Sequence, residues 1–235
     1  MTYFLTKLVR HAHEKEGFIS ALIFGNQGIG KTSYALHVAK EVYGGWKGVL
    51  KYLFFNPKDA IEVLEDAVMS NRRIPLIIMD DAGIWLGKTE WWRREKVEFA
   101  EFFDIIRTVC SSVVFTTPAD NLMSRLSREI MLRIKISHID GEISKQLDEQ
   151  GMRVDPKLFR LAKIYRFSLS PLFQPNIYKT AFDIYPVFYP NEIKEEYDRK
   201  RMEAIKWKLE RVKKEIEKEE KTKKSHKDHE DEGDA

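Results

Sequence analysis

Over residues 18–138, short apolar runs alternate with longer amphipathic stretches. That rhythm predicts strands and helices in turn, and with them a βαβ chain and a parallel sheet. Strands are expected at residues 18–24, 49–55, 74–79, 112–116 and 130–137, and helices at 31–43, 58–70, 95–109 and 119–127. The runs FISALIF and IPLIIM are apolar throughout, as strands buried on both faces are. Beyond residue 138 the pattern changes. Asp140-Gly141 reads as a tight turn, and LAKIYRFSLS and IYKTAFDIYPVFYP read as antiparallel strands. Pro171, Pro175, Pro186 and Pro190 exclude a helix there. From Asn191 the chain is very polar, with Met202, Ile205, Leu209, Val212 and Ile216 stepping by three and four. This is a heptad seam of about two heptads on a charged helix. The expected division is a core over 1–138, a β-rich appendage over 139–190, a charged helix over 191–224 and a disordered acidic tail over 225–235.

Composition narrows the class. The 235 residues are 43% hydrophobic, enough for a real core, which excludes wholesale disorder. Charged residues reach 33%, yet Lys+Arg 40 against Asp+Glu 37 leaves a net charge of only +3. No strong global field therefore steers the chain to nucleic acid or a membrane, and only a local basic patch remains open. Cys110 is the single cysteine, which excludes an internal disulfide framework and a Cys-rich zinc site and suits a reducing cytosol. No apolar run approaches the roughly 18 residues of a membrane span, and the first residues carry charge too early for a signal peptide. A soluble cytoplasmic protein is expected.

The chemistry is concentrated in one motif. Gly25, Asn26, Gln27, Gly28, Ile29, Gly30, Lys31 and Thr32 match G-x-x-x-x-G-K-[ST] in full, between a predicted strand and a predicted amphipathic helix. Glycines let backbone N–H groups close around phosphate oxygens, and the helix N-terminus adds its dipole. With Ser33 these residues form an expected ATP site, in which Lys31 reaches the β- and γ-phosphates and Thr32 ligates Mg²⁺. The strand LIIMDD, residues 76–81, ends in paired acids, the Walker B pattern. Asp80 is the expected second Mg²⁺ residue, and Asp81 orients or deprotonates the attacking water. A second carboxylate suits hydrolysis better than passive binding. The next apolar strand ends in Thr116-Thr117, either plain strand formers or hydroxyls that reach the γ-phosphate, Thr117 being the candidate. Beyond it Arg125, Arg128 and Arg133 are solvated helix residues or arginine fingers for a neighbouring copy.

With these elements in order, the core resembles the AAA+ ATPases of the DnaA/DnaC initiator and helicase-loader branch. GNQGIGKT, LIIMDD and FFDIIRTVCSSVVFTTP carry the resemblance, over about residues 18–135. It implies a P-loop NTPase sheet of order 5-1-4-3-2, an arginine ending the helix before the sensor strand (Arg107), and an arginine-finger box at Arg125-Leu126-Ser127-Arg128. That box is one residue shorter than the usual R-[IL]-x-S-R. The branch's helical lid has no counterpart, and a Pro-broken β-rich segment stands in its place. DDAGIWL and YPNEIKEEYDRKR resemble the small DnaA-like ATPases of viruses and plasmids of thermophilic archaea. The resemblance implies an ATP-bound homo-oligomer acting with DNA, single- or double-stranded, and a replication protein, in host cytoplasm if viral.

Other residues leave alternatives open. Trp85, Trp91, Trp92, Arg93 and Arg94 suit base stacking and phosphate pairing, or a protein contact, or a packed loop. His11 and His13, on a strand face or turn, and His226 and His229 in the tail, read as solvated, since a metal site needs more ligands. The rival functions are a DNA-packaging or translocating ATPase and a nucleotide-gated adaptor with slow hydrolysis.

Overall fold

A computed structural model of the chain describes residues 2–55, 57–82, 106–118, 130–171 and 174–231. The expected strands form β1 (Ile19–Phe24), β2 (Leu53–Phe54), β3 (Ile77–Met79), β4 (Ser112–Thr117) and β5 (Leu132–Ser137). They join β6 (Phe159–Leu169) and β7 (Pro175–Pro186) in one sheet of order β2-β3-β4-β1-β5-β6-β7. Its first five strands, taken from β5, run 5-1-4-3-2, and every pair among them is parallel. This is the α/β sheet expected of a P-loop NTPase. The β5–β6 and β6–β7 pairs are antiparallel, so the β-rich segment extends the sheet edge-on.

Two strands are shorter than the apolar runs that predicted them. Where residues 49–55 were expected to be extended, the chain makes a 3-10 turn over Val49–Tyr52 and only then pairs at Leu53–Phe54. Gly48, at φ 79°, starts that turn, and the Tyr43 and Tyr52 rings stack 4.7 Å apart behind it. At a sheet edge so short a strand offers little backbone to a foreign chain. In the run 74–79, Pro75 has no N–H to donate to a ladder. Ile74 makes an isolated bridge with Cys110, and the strand proper begins at Ile77.

Helices α2 (Lys31–Val42) and α3 (Pro57–Met69) follow their predictions within a residue. Ala60, Leu64 and Ala67, spaced by four and three, are buried against a core containing Leu22, Ile77, Val113 and Phe115. Fully burying each large side chain there contributes roughly 1.5–3 kcal/mol. The expected helix over 119–127 and most of that over 95–109 lie outside the described residues.

Three features depart from expectation. First, residues Phe4–Glu14 form a helix, α1, which buries Leu5, Val9 and Ala12 at spacings of four and three. His11 and His13 lie on this helix rather than on a strand or turn, and the exposed His13 is hydrogen-bonded through Nδ1 to Ser111 Oγ at 2.9 Å. Second, Asp140-Gly141 is no tight turn: Asp140 caps helix α4 (Gly141–Glu149) by accepting from the Ile143 N–H at 3.0 Å. Lys163 holds the same carboxylate below its usual range through a 2.9 Å hydrogen bond. Third, helix α5 runs over Asn191–Asp231, through most of the stretch expected to be disordered. The chain divides into two units, Met1–Ile193 and Lys194–Ala235. In the second, Met202, Ile205 and Leu209 of the seam are exposed. Among the described residues, no helix is long and apolar enough to cross a membrane.

Candidate functional site

β1 ends at Phe24, and the chain turns at Gly25 into the loop that opens α2. A Cβ at Gly25 would lie 2.8 Å from the Ile136 carbonyl oxygen of β5, so no side chain fits. Gly30 sits at φ 105° with Val187 and Tyr185 against it, again a place only glycine occupies without strain. The loop therefore brings backbone and helix N-terminus together as anion binding requires. Lys31 is 8% exposed and donates from Nζ to the carbonyls of Gly25 at 3.1 Å and Asn26 at 2.9 Å. Its ammonium is thus held across the loop.

The acidic pair meets this loop from β3. Asp80 is 1% exposed and accepts from Thr32 Oγ1 at 2.9 and 3.2 Å. It also accepts a short hydrogen bond from Thr116 Oγ1, and that same oxygen accepts the Asp81 N–H at 3.0 Å. Thr116 thereby fixes the two acids relative to each other. Asp81 takes φ 51°, in the left-handed region that aspartate tolerates better than most residues. The hydroxyl that meets the acidic pair belongs to Thr116. Thr117 lies beside it, buried at the end of β4 opposite Phe24 of β1. A buried carboxylate and a hydroxyl within 2.9 Å supply hard oxygen donors, which suits Mg²⁺. Among the described residues there is no group of three or more His, Cys, Asp or Glu for another metal.

The arginines fall elsewhere. Arg133 lies within β5 rather than on a helix, its guanidinium carbon 4.6 Å from the Phe167 ring centre. Arg107 precedes β4, at the N-terminal end of the parallel strands and opposite the phosphate loop, where it lines a pocket of about 630 Å³ with Arg72, Arg73 and Glu16. It is thus remote from this chain's own loop. Arg125 and Arg128, and with them Trp85, Trp91, Trp92, Arg93 and Arg94, lie outside the described residues.

What the sequence did not disclose is a second wall to the site, built by β6 and β7. Tyr185 donates from its hydroxyl to the Gly30 carbonyl at 2.9 Å, and its ring packs 4.9 Å from Tyr34 of α2. Burial pushes the Tyr185 phenol well up, so it stays a donor. Arg160, its register partner on β6, also reaches the face of Gly30. One turn further along α2, Tyr34 donates to Asp183 Oδ2 at 2.5 Å, and Asp183 also accepts the Phe4 N–H that opens α1. Burial raises the Asp183 carboxyl against these donated bonds. One acidic side chain thus ties β7, α1 and the phosphate-loop helix together. No spacing rule links residues so far apart in sequence; only the Pro-interrupted FDIYPVFYP hinted that this strand ends at a fixed place.

Tyr34 N also donates to the Gly30 carbonyl, so removing the phenol hydroxyl leaves that acceptor partnered. Tyr185→Phe should therefore fold, and raise KM for ATP about 2- to 10-fold with little change in kcat, the size of one neutral hydrogen bond; steady-state kinetics give the split. His37 Nε2 donates to the Phe188 carbonyl at 2.9 Å, and burial holds this imidazole below its ordinary value of 6.5. The unfolded chain then takes up the proton first as pH falls, so the stability present above pH 6.5 is lost below it. A melting curve at about pH 5 against one at about pH 7.5 should show a smaller loss for His37→Gln than for the wild type.

No family profile matches the chain. It is 46% identical over 132 residues, 53% of its length, to the uncharacterized protein B-251 of Sulfolobus spindle-shape virus 1, covering 52% of that protein. It is 32% identical over 124 residues to the uncharacterized protein ORF286 of Acidianus two-tailed virus, covering 52% of this chain and 43% of that one. The chain thus spans about half the length of the curated relatives it matches. Among solved structures it is similar to the genome packaging NTPase B204 of Sulfolobus turreted icosahedral virus 2 in complex with ATP-gammaS, with TM-score 0.37, 12% identity and coverage of 70% and 98%. It is also similar to the N-terminal domain of zonular occludens toxin from Neisseria meningitidis, with TM-score 0.41, 15% identity and coverage of 71% and 95%. Superpositions this loose leave the fold resting on the strand order and the loop described above, and the relatives are proteins of archaeal viruses.

Proposed function

We propose that this chain is a P-loop ATPase that binds ATP at residues 25–33 and hydrolyses it. The observation that carries the reading is the chain of contacts from Thr32 through Asp80 to Thr116 and Asp81, beside the Lys31 ammonium held across the loop by the Gly25 and Asn26 carbonyls. Loop N–H groups and the Lys31 ammonium hold the phosphates. Thr32 and Asp80 hold Mg²⁺, which when bound neutralises charge on the β- and γ-phosphates. Asp81 orients the attacking water and accepts its proton, and Thr117 lies at the end of the neighbouring strand as the residue that senses the γ-phosphate. Arg128 of a second copy supplies charge in trans within an ATP-bound homo-oligomer. In this reading residues 1–138 carry the phosphate chemistry, 139–190 wall it, and 191–224 with the acidic tail serve contacts with other proteins.

The work done with ATP is on DNA, in the cytoplasm of the host cell. The initiator and helicase-loader role implied by the sequence resemblance calls for a helical lid after β5. In its place, among the described residues of 139–190, stand one nine-residue helix and the β6–β7 hairpin, a β-rich addition that suits the DNA-packaging or translocating alternative. Steady-state ATP hydrolysis with and without DNA, single- and double-stranded, tests the coupling. Stimulation by DNA supports it. Hydrolysis indifferent to both forms would instead favour the nucleotide-gated adaptor.

A further inference from the structure

The two ends of the site are distinguishable. Thr32, Asp80 and Thr116 fix its γ-phosphate end on the β3–β4 side of β1. A nucleotide laid along the loop therefore sends its nucleoside the opposite way, past β5 toward β6 and β7. Because β6 and β7 are antiparallel neighbours, the start of one and the end of the other, Phe159 and Pro186, meet at that same edge. The two residues after Pro186 are fastened to the first turns of α2. Ser33 Oγ donates to the Val187 carbonyl at 3.0 Å, His37 donates to the Phe188 carbonyl, and a Val187 methyl lies 3.2 Å from where a Gly30 Cβ would stand. The Val187 N–H in turn donates to Leu158 at 2.9 Å. With its backbone fixed in this way, Phe188 is 56% exposed, its ring set edge-to-face with that of Phe159 at 6.4 Å.

We propose that the exposed Phe188 ring, braced by Phe159, is the platform on which the base of a bound nucleoside triphosphate rests, the phosphates running from there to Lys31 and Asp80. The proposal rests on the phosphate-loop reading and adds the residues that take the base, since an aromatic face selects for a nucleobase rather than for a bare polyphosphate.

The test is calorimetric titration of the full chain with ATP and, separately, with inorganic tripolyphosphate, for the wild type, Phe188→Ala, Phe188→Tyr and Lys31→Ala. Phe188→Ala should weaken ATP binding on the order of ten-fold or more and leave tripolyphosphate binding unchanged, which also shows that the variant is folded. Phe188→Tyr keeps the aromatic face and should restore ATP binding. The inference is overturned if Phe188→Ala moves neither ligand, or moves both equally. Lys31→Ala separates the two claims: it should weaken both ligands, and if it weakens neither, the phosphate-loop reading itself fails.

Discussion

Replacing Lys31 by alanine should remove ATP binding and turnover together, with hydrolysis falling at least about 10²-fold, the scale of losing one preorganised charge aimed at a reacting phosphate. The ammonium is the cation that the structure draws across the loop, hydrogen-bonded to Gly25 and Asn26 and nearly buried. Alanine keeps the helix propensity at the first position of α2 and leaves the loop glycines unchanged. The fold should therefore persist while the site loses its phosphate anchor. Equilibrium binding of ATP beside a melting curve separates the two: lost binding with an unchanged melting temperature is the expected pair of results.

Asp81→Asn should behave in the opposite way toward binding. Asparagine has nearly the shape of aspartate and also tolerates a left-handed backbone, so φ 51° remains accessible. The Asp81 N–H that donates to Thr116 is backbone and survives the change. What disappears is a carboxylate able to take a proton from water. Hydrolysis should drop about 10²- to 10⁴-fold while ATP affinity stays near that of the wild type, and the variant should accumulate bound ATP. Single-turnover quench measurements read this directly. A variant that loses ATP affinity as strongly as Lys31→Ala would move Asp81 from proton transfer to nucleotide binding.

The parallel half of the molecule was legible because its signals are local. Apolar runs mark buried strands, G-x-x-x-x-G-K-[ST] marks the turn after β1, and paired acids mark the end of β3. Their juxtaposition then follows from the strand order 5-1-4-3-2. The hydroxyl that partners Asp80 was not legible: successive strand side chains point to opposite faces, and Thr116 takes the face toward Asp80. Nor was α1, although Leu5, Val9 and Ala12 have helical spacing, since its N-terminus finds its acceptor 179 residues away in Asp183. The same holds for Asp140, whose pairing with glycine suggests a turn, yet which caps a helix because Ile143 and Leu147 can bury against Leu161. The second wall is a tertiary effect throughout. Tyr185 and Val187 sit beside the loop only because an antiparallel hairpin carries the chain back to the end of the sheet at which β5 finishes.

Phosphate release from ATP by the purified wild-type chain, measured beside Lys31→Ala purified in the same way, tests the central claim most directly. A sustained release by the wild type that the Lys31→Ala protein lacks is the predicted result. Equal release by both proteins, or none from a wild type shown to be folded and supplied with Mg²⁺ and DNA, would contradict the assignment of this site to ATP hydrolysis.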